Sequence, residues 1–176
     1  MCMIAHPRDV IGYVDVHPGL AVGDFGVGSG AFGELVVPHL NPGGKYYAFD
    51  AIPHLLAKAK KIAAAHGVSC FTLHADFEDA LPLAENILDL GLLANTLSSV
   101  PPTSRQQFIH ELSRVIKPKG SILYVDWMTS PKDVGPARPL LVSPADAARL
   151  FKAAAFDVSA ILPAGHHQYA FVATLK

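Results

Sequence analysis

The chain has 176 residues, of which 51% are hydrophobic and 16% charged, and its formal net charge is −1. This length fits one compact domain, and the apolar content supports a core and argues against a disordered chain. The Lys and Arg residues are scattered, so we expect no basic surface for nucleic acid and favour a small or neutral substrate. We therefore predict a single domain over residues 1–176.

Cysteine content and hydropathy indicate where the protein resides. Cys2 and Cys70 do not form the spaced pattern of a disulfide framework. The first ten residues lack the basic patch and long apolar core of a signal peptide, and no run reaches the roughly 18 apolar residues of a membrane span. We expect a cytoplasmic protein with no membrane partner.

Strand-like and helical segments alternate from the start of the chain. Leu20–Val22 reads as a short strand that leads through glycines into a helix around Phe32–Val37. Tyr46–Phe49 reads as a second strand, and the Ala- and Lys-rich segment from Pro53 to Gly67 reads as a second helix. Proline in the first turn and glycine just past the end are typical helix boundaries. These are two β-α steps.

The next segments extend the same pattern. Val68–Leu73 is rich in β-forming residues, and Ile87–Leu93 is almost continuously apolar, as in a strand buried on both faces. Ser104–Gln107 has the form of a capping box and predicts the start of a helix, which the segment Lys117–Gly120 ends with a turn. Ile122–Val125 is the predicted fifth strand.

The end of the chain decides the topology of the sheet. Ser143 is placed to cap a helix, and two β-type segments, Phe156–Leu162 and Gln168–Leu175, follow. Only the loop Pro163–His167 separates these segments, which is too short for a parallel crossover. We predict an α/β fold with a doubly wound, mostly parallel, seven-stranded sheet, an antiparallel last strand and helices on both faces.

The main chemical signal is the glycine-rich stretch between the first strand and the first helix. Glycine permits positive φ and close approach of the backbone to a ligand, and the following helix start offers free N–H groups. Gly28, Gly30 and Gly33 alone also match a dinucleotide-binding fingerprint. Asp50, at the end of the second strand, is placed to accept both ribose hydroxyls of a nucleoside, although it is also placed to cap the following helix.

These residues resemble motifs of class I S-adenosylmethionine-dependent methyltransferases. Asp24-x-Gly26-x-Gly28-x-Gly30 is similar to their motif I, and Tyr47–Asp50 to the acidic end of their second strand. Order and spacing agree along most of the chain, and the further matching segments are Ala75–Asp79 after strand three, Ile87–Leu97 at strand four and Arg114–Gly120 before strand five. The tail around Asp126–Trp127, Gly135–Pro136 and His167–Tyr169 resembles small methyltransferases of ubiquinone and menaquinone biosynthesis.

The resemblance implies S-adenosylmethionine as cofactor and a role for each matching residue. Asp24 and the loop with Gly26, Gly28, Ser29 and Gly30 would hold its methionine end. Further along the chain, the ribose would lie at Asp50 and Ala51, the adenine at Asp76 and Phe77, and the sulfonium and acceptor beside Ala94 and Asn95. The alternative interpretation of Asp76 is an ordinary polar loop residue, and that of Phe77 is a core aromatic.

Candidates for the acceptor side come from the later part of the chain. We predict that Trp127, His167 and Tyr169 contact the acceptor, and that His74, His167 or Tyr169 is the base if one is used. The plainer interpretation makes Trp127 a core aromatic and the histidines rim residues. Ser98-Ser99 stands where many relatives carry histidine, which weakens the transfer of their catalysis, and Gly23 replaces an apolar residue before motif I.

Alternative functions fit the sequence less well. A nicotinamide-dependent oxidoreductase explains the glycines and Asp50 but not Asp24, Asp76 and the reversed last strand together. A non-catalytic S-adenosylmethionine-binding or partner-binding module and an RNA- or protein-directed methyltransferase stay open. No metal site is expected, because His166 and His167 are adjacent and point to opposite faces of an extended segment. We expect an open site at the carboxyl edge of the sheet, partly closed by Pro7–Val16.

Overall fold

A computed structural model of the protein describes residues 5–130 and 134–176, so Cys2 lies outside the described residues. Each predicted apolar run forms a strand, and the strands are joined into one sheet. The strands are β1 (Ala21–Phe25), β2 (Lys45–Asp50), β3 (Ser69–His74), β4 (Leu88–Ala94), β5 (Ile116–Trp127), β6 (Phe156–Val158), β7 (Leu162–Ala164) and β8 (Gln168–Leu175).

The sheet is doubly wound and mostly parallel, as predicted. Its strand order is β3-β2-β1-β4-β5-β8-β6, with β7 paired to β8. Strands β1 to β5 run parallel to their neighbours, and β8 is antiparallel to β5, β6 and β7. The chain reverses direction across the sheet between β1 and β4, which is the switch point where such folds bind ligands.

The prediction of seven strands was wrong, because the sheet has eight. β5 occupies one edge of β8 along Gln168–Thr174, so β6 and β7 both pair along its other edge. The predicted strand Phe156–Leu162 is interrupted after Val158, where both the backbone N–H and the side chain of Ser159 form hydrogen bonds with Val172. Eight strands therefore occupy seven positions.

Helices cover both faces of the sheet, with a hydrophobic core under each. The helices are α1 (Pro7–Val10), α2 (Ala31–Val36), α3 (Pro53–Ala65), α4 (Arg105–Val115) and α5 (Pro144–Ala153). One core packs α4 and α5 against β-strand residues such as Phe25 and Tyr124, and the other packs α1, α2 and α3 against residues such as Val22 and Tyr46. Alternate residues of a strand supply the two cores, as expected from the two-residue period of a β-strand.

Local signals at the element ends were mostly confirmed. Pro53 begins α3, Gly67 follows it with φ of +65°, and Ser143 caps α5 by accepting a hydrogen bond from the Asp146 backbone N–H. The predicted capping box at Ser104 was wrong, because its side chain forms no capping hydrogen bond with α4. The predicted turn at Lys117–Gly120 forms inside β5 as an irregularity, in which Leu88 pairs with Ile116 but Leu90 pairs with Ser121.

Neither hydropathy nor length allows any helix in the described ranges to span a bilayer. Cys70 is half-buried on the edge strand β3, where burial raises the pKa of its thiol. Loss of hydration disfavours the thiolate, so the side chain behaves as a small hydrophobic residue.

Candidate cofactor-binding and active site

A cleft of about 640 Å³ opens at the carboxyl edge of the sheet, around the ends of β1, β2 and β4. This volume lies within the range of roughly 300–1,000 Å³ that small-molecule sites occupy. Of the predicted covering segment Pro7–Val16, Pro7 lines the cleft, and Ala5 before it does so too. The other lining residues are Gly26, Val27, Gly28, Ser29, Ala31, Phe32, Asp50, Ala51, Ile52, Leu55, Asp76, Phe77, Ala94, Asn95, Thr96, Ser99 and Val100.

The glycine loop after β1 exposes backbone to the cleft. Gly26, Gly28 and Gly30 all have positive φ, at +85°, +50° and +79°. A Cβ atom at Gly28 would lie 3.8 Å from its nearest neighbour, the Gly26 carbonyl oxygen, so the space beside this residue is open to a ligand. At Gly26 the same atom would lie 2.4 Å from Thr96 Oγ1. The loop therefore needs glycine twice, once for ligand access and once for tight packing.

Asp50 lies beside this loop at the end of β2 and is 7% exposed. Its Oδ2 accepts a hydrogen bond from the Gly28 N–H at 3.1 Å, and its Oδ1 accepts one from the Ile52 N–H at 2.9 Å. Each carboxylate oxygen can accept more than one hydrogen bond, so both keep capacity for a diol. Helix α3 begins at Pro53 with Ile52 as its N-cap, so Asp50 is not the cap of α3.

Asp24 is buried under the loop, on the face of β1 opposite Phe25, and is 3% exposed. The Tyr46 hydroxyl donates to its Oδ2 at 2.6 Å. Burial raises the pKa of Asp24 to about 6, against the lowering effect of the Tyr46 hydrogen bond, and the nearby Asp50 adds a smaller increase. Asp24 therefore takes up its proton at a higher pH than an ordinary aspartate does.

Asp76 and Phe77 follow β3 and line the same cleft. Asp76 is exposed, and its Oδ1 accepts a hydrogen bond from the Glu78 N–H at 3.1 Å. Phe77 is 8% exposed with φ of +66°, and its ring packs 4.8 Å from that of Phe108. Phe77 thus belongs to the core and also forms part of the cleft wall.

The far wall of the cleft is formed where β4 ends. Asn95 has φ of +57°, and its N–H donates to the Val125 carbonyl at 2.8 Å. Thr96 Oγ1 donates to the Phe25 carbonyl at 2.7 Å and so joins this wall to the glycine loop. Gln168 donates through its Nε2 to Asn95 Oδ1.

The structure brings nine of the eleven predicted cofactor residues to one cleft. Asp24 and Gly30 are not among its lining residues, since Asp24 faces Tyr46 and Gly30 faces the side chains of Ile62 and Lys58. The role of each residue toward the cofactor stays a prediction. The predicted residues that line the cleft are Gly26, Gly28, Ser29, Asp50, Ala51, Asp76, Phe77, Ala94 and Asn95.

The predicted acceptor and base residues lie outside this lining. Tyr169 is 2% exposed and donates to the Val142 carbonyl at 2.9 Å, and burial raises the pKa of its hydroxyl, which disfavours a role as base. Trp127 is 6% exposed. His167 Nδ1 lies 2.8 Å from Thr129 Oγ1, and His74 Nε2 lies 3.0 Å from the Ala51 carbonyl oxygen.

Sequence reasoning missed several apolar residues of the cleft. Ile52 is 45% exposed directly after the Asp50 segment, and Leu55 follows it in α3. The available signal was an apolar residue two positions after the carboxylate that is predicted to bind the ribose, because an apolar side chain there can pack against a ring. Ala5, Thr96 and Ser99 gave no such signal, since only the tertiary fold brings them to the cleft.

The fold and the cleft define a class of protein: a doubly wound α/β protein with a small-molecule cleft at its switch point. The methyltransferase domain family matches residues 22–120, more than half of the chain. The chain therefore belongs to the methyltransferase domain family, and it is an S-adenosylmethionine-dependent methyltransferase. Membership of this family decides against the nicotinamide-dependent oxidoreductase.

Solved structures share the fold. An S-adenosylmethionine-dependent methyltransferase from Aquifex aeolicus is 23% identical with a TM-score of 0.84, covering 99% of this chain and 92% of its own. A TehB-like S-adenosylmethionine-dependent methyltransferase from Corynebacterium glutamicum is 14% identical with a TM-score of 0.72, covering 99% and 89%. The [4+2]-cyclase SpnF is 15% identical with a TM-score of 0.77, covering 96% and 79%. No curated protein sequence matches the chain.

Proposed function

We propose that this enzyme transfers the methyl group to a small, largely apolar acceptor without a phosphate group. The observation that carries the proposal is the chemistry of the cleft wall, which contains the carboxylates Asp50 and Asp76 but, among the residues the structure describes, no Lys, Arg or His. An anionic acceptor would find no cationic partner among these residues. The resemblance of the chain to small methyltransferases of ubiquinone and menaquinone biosynthesis also supports a small-molecule acceptor.

The order of the strands divides the cleft between cofactor and acceptor. Asp76 after β3 and Asp50 after β2 suit the adenine and ribose, which leaves the glycine loop after β1 for the methionine end. Asn95 follows β4 on the other side of β1, toward β5 and β8. We therefore place the acceptor beside Asn95, under the N-terminal residues Ala5 and Pro7.

The bound cofactor supplies a methyl group that is already activated on a sulfonium. Asp50, Asp76 and the glycine loop would hold this cofactor, which would leave as S-adenosylhomocysteine once the acceptor has taken the methyl group. An acceptor O–H or N–H would lose its proton to solvent or to a base. The protein's contribution is to hold the acceptor in line and to exclude water, and such positioning supplies much of the acceleration. The hydrogen bonds that Asp50 and Thr96 form at the glycine loop and its flanks serve this purpose.

A labelling experiment tests the acceptor class. The protein is incubated with methyl-labelled S-adenosylmethionine and a cell extract, and the products are divided by ultrafiltration into small molecules and macromolecules. We expect label in the small-molecule fraction beyond the cofactor and its breakdown products. Asp50→Asn should strongly reduce the labelling at a limiting cofactor concentration, whereas Asp157→Asn, an exposed position on β6, should not.

Label retained with the macromolecules and released by nuclease or protease would identify an RNA- or protein-directed enzyme instead. Heat of S-adenosylhomocysteine binding with no labelled product would favour the non-catalytic binding module.

A further inference from the structure

A buried amide side chain joins two walls of the cleft. Gln168, the first residue of β8, is 3% exposed. Its Oε1 accepts a hydrogen bond from the Ala5 backbone N–H at 2.6 Å, and its Nε2 donates to Asn95 Oδ1. Ala5 and Asn95 both line the cleft, whereas Gln168 does not. Gln168 therefore acts on the cleft through its two partners.

The chemistry of the three groups fixes their orientation. A backbone N–H only donates, so the group of Gln168 that faces Ala5 must be the amide oxygen. The nitrogen of Gln168 then faces Asn95, and only the oxygen of Asn95 can accept from it. The orientation of both amides thus follows from one backbone N–H, without reference to the positions of hydrogen atoms.

The remaining polar group of Asn95 is its Nδ2. Within residues 5–130 and 134–176 this nitrogen has no hydrogen-bond partner, and no buried side-chain nitrogen or oxygen there lacks one, so Nδ2 is accessible. The backbone of Asn95 is held by its own N–H, which donates to Val125. A donor is therefore fixed at the cleft wall on the acceptor side.

We propose that Gln168 is a positioning residue that turns the Asn95 amide so that its N–H₂ group binds an oxygen of the methyl acceptor. The acceptor then carries a carbonyl or phenolic oxygen next to the atom that is methylated. This proposal rests on the proposed transfer to a small molecule. It adds a specificity determinant that lies outside the cleft lining, 73 residues from its partner in the sequence.

The hydrogen bonds from Ala5 to Gln168 and from Gln168 to Asn95 are called the relay below. Gln168→Glu tests the relay because a carboxylate accepts from Ala5 but does not donate. At pH 8 the Asn95 amide should turn to donate to the new carboxylate and present its oxygen to the cleft. Methyl transfer into the small-molecule fraction of a cell extract should fall about tenfold relative to wild type, the effect of one lost hydrogen bond. S-adenosylhomocysteine affinity, measured by calorimetry, should stay within about threefold of wild type.

Acidification provides the reverse change. Once protonated, the introduced carboxyl both accepts from Ala5 and donates to Asn95, as the native amide does. Position 168 is buried, which disfavours the charged carboxyl and should raise its pKa well above that of an ordinary glutamate. At pH 5.5 the activity of the variant, as a ratio to wild type at the same pH, should therefore recover. Gln107→Glu, the same change on an exposed position of α4, should show neither the loss nor the recovery.

Two further measurements keep the proposal testable. Asn95→Asp retains the oxygen that Gln168 needs but removes the donor, so at pH 8 it should lose transfer about tenfold with cofactor affinity within about threefold. In NMR spectra of Gln168→Glu, Overhauser contacts between the Asn95 Nδ2 protons and the side chain at position 168 should strengthen at pH 8 and return to the wild-type pattern at pH 5.5.

The outcomes separate the relay from the proposed function. Unchanged Asn95 signals, or a joint loss of melting temperature, cofactor affinity and transfer without recovery at low pH, would overturn the relay. If wild type labels no small molecule but the Asn95 signals change as described, the acceptor class is wrong and the relay stands as a structural feature only.

Discussion

The Tyr46 hydroxyl lies 2.6 Å from Asp24 Oδ2, and this pair joins the first two strands beneath the glycine loop. The bond depends on Gly33 in α2, because a Cβ atom at that position would lie 2.6 Å from the Tyr46 hydroxyl oxygen. The last glycine of the motif therefore serves helix–strand packing, whereas Gly28 serves access to the ligand. A carboxylate in this buried position has consequences for stability that can be measured.

Asp24 should make the stability of the ligand-free protein depend on pH. Burial raises its pKa to about 6 from an ordinary value of 3.8, so the proton is bound more tightly in the folded state. The resulting stabilisation is complete below pH 3.8 and is lost as the pH rises through about 6. Urea unfolding of wild type and Asp24→Asn should show that the wild type loses on the order of 2–3 kcal/mol relative to the variant between pH 4 and pH 7. A constant difference would show that Asp24 keeps its ordinary pKa.

Gly33→Ala should destabilise the protein by about 1–3 kcal/mol, since the added methyl group displaces the Tyr46 hydroxyl. In a Tyr46→Phe background the hydroxyl is gone, and the same substitution should cost much less. Thermal unfolding of the two single variants and the double variant measures this coupling. Gly12→Ala, where a Cβ atom would have no neighbour within 4 Å, is the control. If the losses of stability in Gly33→Ala and Tyr46→Phe simply add in the double variant, the added methyl group does not act on the Tyr46 hydroxyl.

The sequence carried the local parts of this site but not the long-range ones. The glycine loop and Asp50 were predictable because each is a strand end followed by a helix, and parallel strand ends share one edge of the sheet. Asp24 was expected in the cleft, but strand alternation turns its side chain to Tyr46 instead. The pair of Gln168 and Asn95 was not predictable, since no sequence pattern links one hydrogen bond across 73 residues.

Asp50→Asn should weaken binding of S-adenosylhomocysteine by about tenfold or more. The side-chain NH₂ group that replaces one carboxylate oxygen would face the Gly28 or the Ile52 N–H, and two donors cannot bond to each other. The variant also loses a charge-assisted hydrogen bond to the ribose, which contributes about 1.5–3 kcal/mol before solvent compensation. Calorimetry measures the affinity, and Asp157→Asn is the matched control on an exposed strand position. Retained affinity in a folded Asp50→Asn protein would limit Asp50 to holding the loop.

Trp127 and His167 should respond differently to truncation, although the sequence predicted the same role for both. Trp127 is 6% exposed, and its ring lies against Gly135, where a Cβ atom would be 3.1 Å from it. Trp127→Ala should therefore cost about 3–5 kcal/mol, and melting temperature, cofactor affinity and methyl transfer should fall together.

His167 is only half-buried and directly precedes Gln168, the first residue of β8. Its imidazole contacts Thr129, two residues past the end of β5. If it contacts the acceptor, His167→Ala should lower methyl transfer while melting temperature and S-adenosylhomocysteine affinity stay near wild type, because positioning of the acceptor alone is affected. Thr129→Val, which removes the partner hydroxyl but keeps the imidazole, is the matched variant and should retain most of the transfer. Full activity in His167→Ala would remove this histidine from the acceptor site and leave Asn95 as the polar group that meets the acceptor.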